Sequence, residues 1–404
     1  MEAEVIFCLI YPRIRGYKEA KANMEKSYSF KGSEAVITPA LIYYRDLLRG
    51  NLEKAIETAH GAAHLWPHVK SHKMADLIHM SMEQGVRRFK CATIAEAEMV
   101  ASCGAEHIVL SYPLVGPNIE RFIKLSEAFK DTHFYAIGDC LDMLNRLGTA
   151  AKASSLGNVD VLVDVNMGMD RTGVPLAELV DFCGSCASID GITLKGLHCY
   201  DGHRTEHDYA DRKAQSDHVD TELKPLLKSI CKSHPTCSLV IIGGSPSFPC
   251  HTDFNLTDGD ETKDVEVYYS PGTIFVYDYG YSKKFPDLPY VPAAAILTRV
   301  ISNPGRGIFS LDLGYKGVAA DPEGVRGQLL GVDNCEEMFQ SEEHWTFRMK
   351  PGHEDECPKV GEEYFVIPTH ICPTSALYPS VTVVENGEIV DEWEVTARNR
   401  KITY

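Results

Sequence analysis

A chain of 404 residues is long enough for two or three domains, or for one barrel with an accessory domain. Its 44% apolar and 24% charged residues are ordinary for a soluble globular protein, and a formal charge of −17 without any basic run argues against a nucleic-acid partner. Thirteen cysteines, scattered without the spacing of a small disulfide scaffold, read as reduced thiols of a cytoplasmic protein.

The first segment with any membrane character is the apolar run 5–11, preceded by Glu2 and Glu4. It has neither the length nor the basic flank of a signal peptide, so no membrane partner is expected. Residues 1–36 are set apart as an N-terminal extension. From Ala40 onward, short apolar runs alternate with amphipathic stretches, the βα signature of a parallel sheet. Candidate strands fall at 65–69, 88–92, 107–111, 133–137, 159–165, 194–199, 239–243 and 265–268. Candidate helices fall at 74–83, 94–103, 119–128, 141–153, 177–187 and 208–233. Eight such units fit a (β/α)8 barrel over residues 37–285; a doubly wound open sheet has the same periodicity.

Beyond Tyr281 the texture changes. Prolines at 286, 289 and 292 punctuate the chain, and short strand-like runs follow at 295–302, 308–313, 365–368, 382–385 and 392–396, with an Asn386-Gly387 turn. Residues 286–404 therefore read as a smaller all-β domain.

Several residues carry chemistry in this frame. Lys70 ends the first candidate strand, the end at which α/β folds place active sites, although an exposed turn lysine reads the same way. Lys73 begins the next helix and is expected to face solvent or a phosphate. His64, His68 and His72 recur every fourth residue, but Pro67 breaks any helical metal stripe. Gly243-Gly244-Ser245 and Gly272-Thr273 follow consecutive strands, where backbone N–H groups can receive a phosphate; ordinary turns are the alternative. Arg171 follows the strand 159–165, as a planar donor or as the partner of Asp170. Tyr200 and His203 follow the strand 194–199, and His207 is a rival to His203 as a base. His370 and Cys372 lie between Pro368 and Pro373; if extended, they point to one side and can hold one ion. An imidazole with a thiolate favours zinc, whereas manganese or magnesium prefers harder ligands. Cys183 and Cys186 form a CxxC without a second pair or a redox context and read as structural.

The order of these blocks carries a resemblance. Thr38-Pro39-Ala40-Leu41, Pro67-His68-Val69-Lys70-Ser71-His72-Lys73 and Cys91-Ala92-Thr93 come first. Asp164 to Gly173, Gly196 to His203, Gly243 to Ser247 and Ser270-Pro271-Gly272-Thr273 follow, then Ser341 to His344 and Pro368 to Thr374. Together they resemble the D-threonine aldolase and D-serine dehydratase family, which has the alanine racemase type of pyridoxal phosphate (PLP) fold. The resemblance implies that Lys70 forms the Schiff base with PLP, and that Arg171 bonds its phenolic oxygen. It implies that Gly243, Gly244, Ser245, Gly272 and Thr273 receive the phosphate. Tyr200 would touch cofactor or substrate, His203 would accept the β-hydroxyl proton, and His370 with Cys372 would bind a divalent metal. It also implies a homodimer.

The expected activity is a PLP- and metal-dependent lyase on β-hydroxy-D-amino acids, of the D-threonine aldolase kind, giving glycine and an aldehyde. A D-serine-type dehydratase uses nearly the same residues and is the alternative. A non-catalytic PLP-binding protein would need only the barrel, and a metal-only barrel hydrolase would carry no chromophore on Lys70.

Overall fold

The computed structural model describes residues 28–404, so the apolar run 5–11 lies outside the described residues. Two compact units divide these residues. One comprises Ala55–Lys70, Met74–Gly272 and Asn399–Tyr404; the other comprises residues 28–54, Ser71–Lys73 and Thr273–Arg398.

The first strand, β1 (Ala40–Tyr44), belongs to the second unit. The first unit is built on parallel strands β2 (Arg88–Cys91), β3 (His107–Leu110), β4 (His133–Gly138) and β5 (Val159–Asn166). The two-residue β6 (Val174–Pro175) pairs with the end of β5, and β7 (Ile192–Cys199), β8 (Leu239–Ile242) and β9 (Glu266–Tyr269) continue the sheet. Helices Ala75–Glu83, Ile94–Ser102, Pro117–Ala128, Leu141–Ala153, Leu179–Ala187 and Tyr209–Ser233 form the crossovers. Each begins within a few residues of its expected start, because apolar periodicity and caps agree. Thr93, for instance, accepts the Glu96 N–H, while the Glu96 carboxylate takes the Ala92 N–H at 2.6 Å.

Residues 65–68 close this sheet into a ring. Trp66 N–H donates to Tyr269 O and His68 N–H to Pro271 O on the β9 side, while Lys90 N–H donates to Pro67 O on the β2 side. The expected strand 65–69 is thus this closing segment, held by single bridges. Pro67 has no N–H to continue a ladder, and the backbone turns into a 3₁₀ turn at Val69–Ser71. The ring is filled by Trp66, Val109, Tyr135, Ile137, Leu162, Leu239, Ile241 and Tyr268. Gly196 is required where β7 meets β8, since a Cβ there would lie 1.8 Å from Leu239 O. The (β/α)8 expectation holds.

The second unit carries β10 (Ala294–Gly305), β11 (Ile308–Leu311), β12 (Gly327–Leu329), β13 (Cys335–Gln340), β14 (Trp345–Met349), β15 (Glu363–Pro368), β16 (Ser380–Glu385) and β17 (Glu388–Glu394). The order is β13-β14-β11-β10-β1-β16-β17, with β15 also on β10 and β12 on β15. Asn386 and Gly387 both have positive φ, the requirement of the tight turn joining β16 to β17. The division of the chain differs from the expected cut at 285/286. β1 lies between β10 and β16, and Thr273–Phe275 and the helix Tyr279–Lys284 also fall in the β unit. Those partners stand hundreds of residues along the chain, so local texture does not reveal them.

Candidate active site

A cavity of about 500 Å³ opens at the carboxyl ends of the barrel strands, with Lys70, Lys90, Arg171, His198 and Tyr200 among its walls. They arrive from four strand ends: Lys70 from the 3₁₀ turn after the closing segment, Lys90 from β2, Arg171 from the loop after β5, and His198 and Tyr200 from the end of β7. The Tyr200 ring is their common neighbour. Lys70 Nζ lies 5.8 Å, Lys90 Nζ 5.1 Å and the Arg171 guanidinium carbon 4.9 Å from its centroid. Gly202 leaves room for that ring, since a Cβ there would fall 2.0 Å from the Tyr200 hydroxyl. Three cations about one ring make the cavity attractive to an anion.

Beneath them lies a buried polar chain. Asp164 on β5 and His198 on β7 are register partners, and Asp164 Oδ1 meets His198 Nδ1 at 2.7 Å. Burial, followed by the neighbouring Lys90 charge, keeps His198 below the ordinary histidine value despite Asp164. Burial would raise Asp164, but the bond and charge of His198 hold it lower. His198 Nε2 faces Lys90 Nζ at 3.5 Å, and Lys90 Nζ donates to Ser270 Oγ at 2.6 Å.

The glycine turn after β8 stands behind Tyr200. Gly243 has φ +84°, and a Cβ on Gly244 would come within 3.0 Å of Tyr200 Cε2. Gly244 N–H donates to Ser247 Oγ, which donates to Asp201 Oδ1 at 2.5 Å. Asp201 also holds His251 Nε2 at 2.9 Å, and Asp220 holds its Nδ1 at 2.7 Å. Burial opposes charge on His251, yet the two carboxylates lift it to about 10, so it is an imidazolium. Ser245 Oγ accepts the Gly272 N–H at 3.1 Å and ties the two glycine turns together. Gly244 and Gly272 therefore spend these N–H groups within the protein.

Other expected site residues stand elsewhere. His203 is not among the cavity walls; its Nδ1 is buried without a hydrogen-bond partner, and its Nε2 faces Gly168. Burial, then Arg204, hold His203 below the usual histidine value. His207 is exposed. Lys73 has φ +61° and is half-buried; His68 and His72 are buried and His64 is exposed, so the three histidines form no stripe.

In the β unit, Thr273 Oγ1 lies 3.4 Å from Cys372 Sγ, which donates to Ser71 Oγ at 3.2 Å. The extended segment on which the pairing of His370 with Cys372 was expected is not found, because Cys372 lies within a short helix. His370 is extended and caps the short helix Ile371–Ser375, whose early positions tolerate Pro373. The two groups nevertheless act on each other: against burial in each case, Cys372 raises the pKa of His370 and His370 lowers that of Cys372. His370 Nδ1 lies 2.5 Å from Asp321 Oδ2. Among the described residues, no three His, Cys, Asp or Glu side chains converge as a metal cluster. Cys183 and Cys186 are buried free thiols, in keeping with a structural role.

Sequence reading missed two hydrogen-bonded sets, Lys90 with His198, Asp164 and Ser270, and Asp201 with Ser247 and His251. The available signal was a polar residue near the carboxyl end of each strand, Asp164 in β5, His198 in β7 and Lys90 in β2, but Asp160, Lys195 and Arg88 on the same strands blur it.

The alanine racemase N-terminal domain matches residues 44–257, more than half of the chain, and a putative serine dehydratase domain matches 293–384. The chain belongs to the alanine racemase N-terminal domain family. Its full length extends the likeness. A D-threonine aldolase of Arthrobacter sp is 26% identical over 374 residues, 90% of this chain and 93% of that protein. A 3-hydroxy-D-aspartate aldolase of Paracoccus denitrificans is 24% identical over 376 residues, 90% and 92% of the two chains. The crystal structure of D-threonine aldolase from Filomicrobium marinum superimposes with a TM-score of 0.79 at 25% identity, covering 90% of this chain and 96% of that one.

This alanine racemase-type architecture is a PLP fold, and the cavity suits that group. The Lys70 amine stands at a strand end, Lys90 and Arg171 place two further basic groups at the space a phosphorylated anion would enter, and the glycine turn keeps its backbone close where a Cβ would collide.

Proposed function

We propose that the protein is a PLP- and divalent-metal-dependent lyase of β-hydroxy-D-amino acids, acting as an aldolase that yields glycine and an aldehyde. The observation that carries this reading is the gathering of Lys70, Arg171 and Tyr200 in one cavity of an alanine racemase-type barrel whose aldolase relatives match along 90% of the chain. No helix among the described residues is long and apolar enough to cross a membrane, and the described cysteines are free thiols; a cytoplasmic homodimer completes the proposal.

Lys70 is the residue that condenses with the cofactor aldehyde. Bound PLP supplies an electron sink for the charge left at Cα when one of its bonds breaks. Arg171 and Tyr200 orient the reacting end, Arg171 as a fixed donor and Tyr200 as the ring against which the cations are arranged. The phosphate side is assigned to Gly243, Gly244, Ser245, Gly272 and Thr273, although the Gly244 and Gly272 N–H groups are bonded within the protein. His203, whose proton affinity burial lowers, is the base assigned to the β-hydroxyl proton.

His370 and Cys372 are the residues that would hold the metal, with zinc favoured by their donor types. The fit rests on geometry: Asp321 holds His370 Nδ1, leaving the other ring nitrogen for an ion, the arrangement by which a carboxylate orients a metal-binding histidine. The ion would supply Lewis acidity to the substrate hydroxyl.

Incubation of the PLP- and zinc-loaded protein with D-threonine tests the reading. Glycine and acetaldehyde in equal amounts are expected. Ammonia with 2-oxobutyrate would establish the dehydratase alternative, and no consumption of any β-hydroxy-D-amino acid would overturn both.

A further inference from the structure

Lys90 is 1% exposed, a rare place for a lysine, and it lines the cofactor cavity. Strand alternation explains how it gets there. On β2, Arg88 and Lys90 share one face, and Arg88 stacks on Trp66 and Tyr268 of the barrel filling, so Lys90 points inward one step nearer the cavity.

Its two hydrogen-bond neighbours are both committed as acceptors. Ser270 Oγ donates its own proton to Gly243 O at 2.9 Å, so it can only accept from Lys90. Asp164 accepts the Nδ1–H of His198, which leaves Nε2 as a bare lone pair facing Lys90 Nζ. Lys90 is therefore the donor for both. Ionised, it bonds both partners and adds a positive charge to the cavity floor; neutral, it keeps fewer donors and adds none.

We propose that Lys90 is a positioning residue of the cofactor site: bonded to Ser270 and facing His198, it orients the His198 imidazole, and its proton sets the charge of the cavity floor. The groups that face it are Lys70, Arg171, Asp164, Asp201, His198 and Tyr200. Burial first and Lys70 second bring Lys90 down to about 7, although Asp164 and Asp201 oppose the fall. The switch thus operates around neutral pH. Below it the cavity holds one more positive charge for an anionic ligand than above it.

The inference rests on PLP binding, and its test has two arms. In the first, equilibrium dialysis measures the dissociation constant for PLP from pH 6 to 9 in the full chain and in Lys90→Gln, Lys90→Met and Lys90→Arg. The neutral variants should bind roughly tenfold more weakly than the wild type at pH 6 and match it at pH 9, the effect of one unit charge at partly screened range. Lys90→Arg should keep the tight binding at both. Circular dichroism confirms folding, and the unbranched, apolar Lys90→Met stands in if the glutamine variant unfolds. Wild-type and neutral variants with parallel curves would overturn the proposal.

The second arm needs no cofactor. Nitrogen NMR of the 15N-histidine-labelled protein, with His198 assigned by its loss in His198→Asn, should show an Nδ1–H tautomer. Its Nε2 shift should move as pH crosses 7, and stay still in Lys90→Gln. A His198 signal indifferent to pH in the wild type would refute the role of Lys90. Failure of the wild type to bind PLP would refute the cofactor reading alone, and the NMR arm would still decide on Lys90.

Discussion

Ser247 Oγ donates to Asp201 Oδ1 at 2.5 Å, joining the helix start after the glycine turn to the residue that follows Tyr200. The same hydroxyl accepts the Gly244 N–H. One buried side chain thereby ties the glycine turn behind Tyr200 to the residue that follows Tyr200.

Ser247→Ala should therefore act on stability and binding together. It strips a hydrogen bond from a buried carboxylate and an acceptor from a buried N–H, at a cost of about 1–3 kcal/mol. The urea midpoint should fall accordingly, and PLP affinity should fall with it. A variant with lowered midpoint but wild-type affinity would show that the brace does not reach the cofactor.

Two buried bases oppose each other in pH-dependent stability. His251 is raised to about 10 in the folded protein from about 6.5 unfolded, so its contribution is complete below about 6.5 and is lost as pH rises to 10. Lys90 is lowered to about 7 from about 10.4 unfolded, so the folded state gains stability as pH rises from 7 towards 10. In the wild type these two contributions offset. Lys90→Met removes one, and its urea midpoint should drop more steeply between pH 7 and 10 than that of the wild type. Equal slopes would mean that Lys90 is charged in the folded protein throughout this range.

The barrel was legible because its strands are short apolar runs and its helices periodic ones, each readable from neighbours in the chain. The strand order around the ring follows from right-handed βαβ crossovers once the fold type is accepted. The placement of Lys70, Arg171 and Tyr200 at strand ends was readable from the chain, whereas the roles proposed for them came from the resemblance. Lys90 was not legible. A lysine in Arg88-Phe89-Lys90-Cys91 looks solvent-facing until closure of the ring turns that face inward. β1 was hidden for a related reason, since its partners on β10 and β16 are remote. His370 and Cys372 were found as a pair, but Asp321, which holds His370, has no local signature linking it to them.

Lys70 and Lys73 offer a direct contrast within one segment. Lys70 lines the cavity, whereas Lys73 lies at a positive-φ position whose carbonyl accepts the Ala397 N–H. After loading with PLP and reduction with borohydride, peptide mapping should find the label on Lys70. Lys70→Ala should lose it, and Lys73→Ala should keep it. Label on Lys73 would displace the assignment.

His370 and Cys372 are the proposed metal ligands. A histidine that binds an ion through one nitrogen is oriented by whatever holds the other, and Asp321 Oδ2 at 2.5 Å from His370 Nδ1 occupies that position. Asp321→Ala leaves both proposed ligands in place but frees the imidazole to rotate and removes a nearby negative charge. Zinc affinity, measured by calorimetric titration of the cofactor-loaded protein, should weaken by roughly 10- to 100-fold. His370→Ala and Cys372→Ala should abolish the tight site, while the label captured by Lys70 after borohydride persists in all three. Unchanged zinc affinity in Asp321→Ala would remove the carboxylate from the site, and tight zinc binding surviving both ligand substitutions would move the metal away from His370 and Cys372 altogether.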